Sequence, residues 1–453
     1  MERFVPGYGL QVILTFFQEE GDRGNWVEDE DELLRTGRQI EEHPKVVDQA
    51  ISLWTKKKSA YYEFIRKLET DGIKNLQKDY RKFRNLYFEE YSVALFTESF
   101  IPWSDVMIGK IMKEYPKEAY KDIEFMVLPL NKTFMLEEEE SSLRIARELR
   151  IRDVKALRVA KDDPEVYHML QEHQKRFFWI ENNYKNTEPI TEEEFFRRII
   201  SIELGLSRMD EKIEYLSNYS QQTGMHRKEL IKKWMISKVH QRKLELISRM
   251  SWFHDRRKKA NLIGNFWINE FLKKASEKYK VDIIDLQHTL PDEFEDMLER
   301  GKCEMPEIAA RKEGCVLIND ISGRSWMLVG KDFNQLKHAI LDAKSPGNIS
   351  DFRGARACPG LVRGRARVIL DPKNGTIEKG EILIAPMTRP EYVPLMRRAA
   401  GVVTDEGGVI SHAAIISREL GIPCVVGTKI ATKVLKTGMH IELNANHGVV
   451  RIL

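Results

Sequence analysis

The residues best suited to chemistry lie near the C-terminus, between Val403 and Gly427. Thr404 is expected to end a buried strand. Gly407 and Gly408 permit a tight turn and a close approach of a ligand to the backbone. Ser411 is a good N-cap residue, which predicts a helix starting at His412. The imidazole then stands beside unsatisfied N–H groups at the positive end of a helix dipole, a setting that suits a dianionic phosphoryl group. A neutral histidine nitrogen is nucleophilic near pH 7, and the phosphoramidate it forms is reactive enough to pass the group on. Arg418, two turns later, adds charge-assisted hydrogen bonds if the fold brings it round. Taken alone, a Ser-His pair at a helix start favours a capping or buried histidine.

Other chemistry-bearing residues have plainer readings. His168 and His173 are five apart, which is not the i, i+4 spacing of a helical metal pair. The acidic run Glu137–Glu140 follows Thr133, as expected of an early helical turn, and no metal site is expected there or elsewhere. Four cysteines form no CxxC pair, which fits a reduced cytoplasmic protein. The basic clusters Arg227–Lys243 and Arg256–Lys259 have apolar residues interleaved at helical spacing, so they read as solvated helix faces rather than a nucleic-acid surface.

The elements that must position these residues divide the chain. From about Glu30 to Arg300 apolar residues recur at three- and four-residue spacing, as where Tyr61, Phe64, Ile65 and Leu68 share one face. Thr191-Glu-Glu-Glu194 reads as a capping box, and Pro116, Pro129 and Pro189 as breaks between helices. Val12–Phe17 is a short apolar run that fits a strand or a docking segment. Residues 314–330 are two apolar runs around a turn, predicting a β-hairpin, with a short helix over Phe333–Lys344. Ser345–Ser350 is the best linker candidate. Beyond Ala355, glycine-punctuated strands are expected at Val368–Leu370, Glu381–Ala385, Gly401–Thr404, Cys424–Gly427, His440–Leu443 and Val449–Leu453, with helices over Pro390–Ala400 and His412–Leu420.

Composition agrees with two differently built parts. The 453 residues carry a net charge of only +3, which gives no support to electrostatic nucleic-acid binding. That balance sums a net of +6 after residue 350 with −3 before it, and all eight tryptophans precede residue 327. The N-terminus lacks a signal-peptide pattern, and no apolar run approaches the roughly 18 residues of a membrane span. The fold class expected is multidomain: a mainly α-helical domain over 1–345, a linker over 346–354, and a compact α/β domain over 355–453.

The last hundred residues resemble the mobile phosphohistidine domain of phosphoenolpyruvate-utilising enzymes, a family that includes phosphoenolpyruvate synthase, pyruvate phosphate dikinase, rifampicin phosphotransferase and phenylphosphate synthase. The matching pieces are Ala357-Cys-Pro-Gly360 with Gly364, Leu383-Ile-Ala-Pro-Met-Thr388 followed by Pro390, and Gly407-Gly408 followed by Ser411-His412-Ala-Ala-Ile415. Arg418-Glu-Leu-Gly-Ile-Pro423 and Val425-Val-Gly427 complete the series. More weakly, Ala310–Leu317, Val281–Gln287 and Leu290-Pro-Asp-Glu-Phe-Glu resemble the helical region that precedes the mobile domain in rifampicin phosphotransferase.

The resemblance implies that His412 is the phosphorylated residue and that its domain swivels between a nucleotide site and an acceptor site. Gly407, Gly408 and Ser411 are expected to shape the phosphate cradle, with Arg418, Thr388 and Thr404 as further phosphate contacts. Asp405 and Glu406 look like solvated turn residues. The mainly helical first part is not built like an ATP-grasp domain, and no barrel follows the last strand. The expected protein is therefore a phosphotransferase subunit with no tightly bound cofactor. ATP and Mg²⁺ are expected on an ATP-grasp partner subunit, and a hydroxyl-bearing small-molecule acceptor on the helical part. Membrane and nucleic acid are not expected partners. The alternative is a catalytically silent regulatory or scaffolding subunit of a phosphoenolpyruvate synthase-like complex.

Overall fold

A computed structural model describes residues 12–18, 24–27, 30–182, 187–202, 204–301, 307–320, 325–339, 351–372, 375–388, 392–408 and 411–453. The chain divides into two compact units, Met1–Gly109 with Trp267–Leu453, and Lys110–Phe266.

Lys110–Phe266 is helical, and three of its helices begin where a side chain accepts the first free N–H groups. Thr133 accepts from Leu136, Asp163 from Glu165 and Val166, and Thr191 from Glu194, opening the helices Phe134–Ile151, Pro164–Phe177 and Glu192–Ile200. The acidic run is taken up in ion pairs: Glu137 with Arg256 at 2.9 Å, Glu139 with Lys212 at 2.6 Å, Glu140 with Arg144 at 2.8 Å. Arg227 turns inward to the Ser248 hydroxyl at 3.0 Å. His173 is a core residue, its Nδ1 2.8 Å from Ser141 Oγ and its ring edge-on to Phe195.

In the other unit, Lys45–Asp71 packs on Leu76–Ala94, which packs in turn on Pro291–Arg300. Tyr61, Phe64, Ile65 and Leu68 are all buried, as their spacing predicts. Arg84 ties two of these helices together through Asp292 at 2.6 Å and Glu295 at 2.7 Å. Trp54 and Trp103 are buried with their indole N–H groups on Glu90 and Glu41, so these two rings serve the core. Val12–Phe17 is part of a strand, β1 (Val12–Gln18). It pairs with β2 (Gly24–Val27) and with β3 (Gly314–Asp320), which forms the predicted hairpin with β4 (Ser325–Val329). The following helix is described over Gly330–Lys337, and the candidate linker Ser345–Ser350 lies outside the described residues.

The C-terminal sheet has eight strands: β5 (Asp351–Arg353), β6 (Ala355–Cys358), β7 (Leu361–Val368), β8 (Ile382–Ala385), β9 (Gly401–Thr404), β10 (Cys424–Val426), β11 (His440–Asn444) and β12 (Val449–Ile452). Their order is β5-β12-β11-β7-β8-β9-β10-β6, and β7 to β10 run parallel. Every residue of β8, β9 and β10 is buried. Parallel strands are covered on both faces and so read as unbroken apolar runs, which is why these three were visible in the sequence. The sheet begins earlier than Ala355, with β5 paired to β12. The strand expected at Val368–Leu370 instead occupies Leu361–Val368. Its alternate arginines face outward, Arg363 onto Glu442 at 2.7 Å and Arg367 onto Glu381 at 3.0 Å, so charge masks the period-two pattern.

Candidate functional site

The parallel strands β8 and β9 end side by side, and the chain segments leaving them build the site. Asp405 N–H donates to Ala385 O at 3.1 Å and Glu406 N–H to Pro386 O at 2.7 Å, so the strand pairing continues past both ends. That continuation lays the segment carrying Thr388 alongside the turn carrying Gly407 and Gly408. A crevice beyond the carboxyl ends of parallel strands is where open α/β sheets bind ligands.

Gly407 has φ +106°, and a Cβ there would lie 2.8 Å from Ser411 Oγ. A side chain would be strained by the backbone and blocked by the hydroxyl, so this position needs glycine. Ser411 N–H donates to Gly408 O at 2.9 Å, closing the turn. Ser411 Oγ accepts from Ala414 N at 3.4 Å and caps the helix His412–Leu420, which starts and ends where the sequence predicts. Gly421 ends it in the left-handed conformation.

His412, half-buried on the first turn, meets buried Thr388: Thr388 Oγ1 and His412 Nδ1 are 2.9 Å apart. With a proton on Nδ1 donated to the threonine oxygen, the neutral ring keeps its lone pair on Nε2. The contact engages Nδ1 and leaves Nε2 as the ring nitrogen that does not meet Thr388. In this conformation Nε2 is screened from solvent.

The other expected site residues are placed as follows. Thr404 is fully buried and its hydroxyl donates to Glu406 O at 2.7 Å, so that group is spent on the turn. Arg418 lies in the last turn of the helix, about 9 Å along the axis from His412 at 1.5 Å per residue. There its charge acts on the buried Cys424 thiol, which desolvation pushes up to about 12. Gly408 is buried and faces the carboxylate of Asp105, which comes from the helix Ile101–Met112.

Asp405 departs from expectation. It is buried rather than solvated, accepting from Thr432 N at 3.0 Å and Thr428 Oγ1 at 3.3 Å as well as from the Thr432 hydroxyl. Thr428 N–H in turn donates to Thr404 O at 3.0 Å. Asp405 therefore fixes the base of the turn, whereas Glu406 is exposed as expected. Nothing local marked either Asp405 or Asp105, because their partners are distant in sequence. Among the described residues no group of three or more His, Cys, Asp or Glu side chains is arranged to hold a metal ion. No described helix is long and apolar enough to cross a membrane.

Comparison with known proteins places the similarity on this same region. The family described as PEP-utilising enzyme, mobile domain, matches residues 377–448. The phosphoenolpyruvate synthase of Pyrococcus furiosus is 56% identical over 100 residues, which is 22% of this chain and 12% of that protein. The rifampicin phosphotransferase of Bacillus subtilis is 27% identical over 224 residues, 48% of this chain and 25% of that protein. The matched part is therefore between about an eighth and a quarter of these relatives' length. Among solved structures, aconitase X of Thermococcus kodakaraensis is similar at 22% identity, over 23% of this chain and 98% of that one, with a TM-score of 0.19.

Proposed function

Since residues 377–448 match the family described as PEP-utilising enzyme, mobile domain, we propose that the protein is a phosphotransferase component that carries a phosphoryl group on His412. The observation that carries this reading is the contact of Thr388 Oγ1 with His412 Nδ1 at the capped start of a helix. It supports a tautomer with the proton on Nδ1 and the lone pair on Nε2, beside a helix start whose N–H groups favour the incoming charge.

In the proposed cycle an ATP-grasp unit on a partner supplies the phosphoryl group from ATP, with Mg²⁺ neutralising its oxygens. His412 Nε2 attacks the γ-phosphorus, the N–P bond forms, and the P–O bond to ADP breaks. The carrier domain then turns, and a hydroxyl oxygen of a small acceptor attacks the same phosphorus. The N–P bond breaks with its electron pair returning to Nε2, and the hydroxyl proton leaves with a base. The turn at Gly407, Gly408 and Ser411 cradles the phosphoryl oxygens, Arg418 adds a longer-range positive charge, and Thr404 shapes the cradle rather than touching phosphate. The helical part holds the acceptor, and the cytoplasm is the proposed compartment. The net charge of +6 over residues 351–453 suits a carrier that visits polyanionic sites.

The test is to incubate the chain with a candidate ATP-grasp partner and labelled ATP, and to look for acid-labile, base-stable phosphate. The label is expected on His412 and absent from His412→Ala. Label of the same stability on His412→Ala sinks the assignment.

A further inference from the structure

The carrier turn makes one contact that the phosphotransfer cycle does not call for. A Cβ built on Gly408 would lie 2.4 Å from Asp105 Oδ2 and 2.9 Å from Oδ1. The carboxylate of the helix Ile101–Met112 is therefore seated directly on the glycine of the phosphate turn, in space that any larger residue at 408 would fill. Gly408 O also accepts from Ser411 N, which brings the two ends of this four-residue span within about 7 Å. His412 follows at once. An anion thus stands on the residue whose carbonyl is tied to the N-cap Ser411, near a helix start whose N–H groups favour negative charge.

We propose that Asp105 is the positioning residue that parks the unloaded carrier: its carboxylate seats on Gly408 while His412 bears no phosphoryl group, and loading expels it. The inference rests on the carrier reading. A phosphoryl group on His412 adds a charge of about −1.5 to −2. Opposite a carboxylate at a partly buried contact, that charge shifts the docking equilibrium by at least about tenfold toward release. Because Nε2 is screened from solvent in the parked state, loading requires a transient opening. Once loaded, the carrier no longer seats on Asp105. The contact therefore acts as a ratchet that admits the unloaded carrier and rejects the loaded one.

The test is hydrogen exchange on the full chain, read on peptides covering residues 101–112 and 404–420. Phosphoramidate serves as a small-molecule donor to His412, and His412→Glu serves as a fixed negative charge at the same place. Exchange in both peptides is expected to rise about tenfold or more in His412→Glu and on phosphorylation of the wild type. Gly408→Ala is expected to raise exchange at 101–112 without any added charge, because its Cβ displaces the carboxylate. The decisive arm is suppression: Asp105→Asn combined with His412→Glu is expected to return most of the protection, which a merely structural aspartate would not do. Unchanged exchange in His412→Glu, or a double variant as open as the single one, overturns the proposal. If phosphoramidate fails to label His412 while the Glu variant opens and Asp105→Asn closes it, docking stands and the carrier reading falls. If His412 is labelled and exchange does not change, docking falls and the carrier reading stands.

Discussion

On the proposed carrier reading, the hydrogen bond between Thr388 and His412 holds the proton on Nδ1, and Thr388→Val removes that bond at nearly constant shape. The two atoms are 2.9 Å apart and Thr388 is only 4% exposed, so no solvent molecule readily replaces the hydroxyl. A neutral hydrogen bond contributes about 0.5–1.5 kcal/mol, and one to a charged group about 1.5–3 kcal/mol. Attack by Nε2 on phosphorus moves positive charge onto the ring, so the Nδ1–H bond strengthens between ground and transition states. Only that difference enters the rate. A difference of about 1–2 kcal/mol slows phosphorylation by about fivefold to thirtyfold. The assay follows acid-labile phosphate on His412 with time, using phosphoramidate as donor so that no partner is needed. Thr388→Ser keeps the oxygen and is expected to stay within about threefold of the wild type, since the bond itself is retained. A folded Thr388→Val protein that is phosphorylated at the wild-type rate, or a serine variant as slow as the valine one, would refute the reasoning.

Other expectations concern stability. Burial pushes Asp255 up to about 7, against the Phe134 N–H bond at 3.2 Å and the Arg256 charge that favour its ionised form. A raised carboxyl pKa means stability present at low pH and lost as pH rises from the unfolded value toward 7, so between pH 5 and 8 the wild type should lose roughly 3 kcal/mol relative to Asp255→Asn in urea titrations. Trp54→Phe removes the indole donor 2.5 Å from buried Glu90 and should lower the unfolding free energy by about 1–3 kcal/mol, with Glu90→Gln recovering part of it in denaturant melts. At Gly364 a Cβ would lie 2.4 Å from Gly380 O, so Gly364→Ala should cost the carrier sheet about 1–3 kcal/mol, seen as earlier melting of residues 351–453 by hydrogen exchange.

Much of the carrier fold was legible because its strands are buried on both faces. Val402, Val403, Val425 and Val426 have no polar side to present, and the sequence states that directly. The helix His412–Leu420 was legible to the residue, since Ser411 and Gly421 are start and stop signals with a backbone mechanism. β7 was misplaced because Arg363, Arg365 and Arg367 alternate with small residues, and an edge-like charged pattern resembles a loop until its partner Glu442 is known. β5 was read as linker because three residues carry no period of their own, and only the register with β12 makes them a strand. The helical part announced itself by spacing, but spacing does not say which helices meet. Tyr80 meets Phe294, and Phe83 meets Phe271, only because Leu76–Ala94 receives helices from much later in the chain.

The site was legible in proportion to how local its interactions are. Gly407, Ser411 and His412 lie within one turn, and each was identified from backbone rules that operate over a few residues. Thr388 was reached through motif resemblance, and its role becomes physical only when β8 and β9 end together. Asp405 was misjudged because its partners are Thr428 and Thr432, supplied by the segment after β10. Asp105 lies farther still, on a helix in the first quarter of the chain, and no local rule points from it to Gly408. These two carboxylates divide the turn between them, Asp405 holding its base from within the carrier and Asp105 touching its tip from outside. A helix start suited to phosphate suits any anion, so in the proposed cycle the same helix end that receives a phosphoryl group also favours a docked carboxylate. Loading and parking therefore compete for one electrostatic feature. On the proposed reading, a domain with a basic excess of +6 that gains about two negative charges on loading would lose its preference for that carboxylate without any change in its fold.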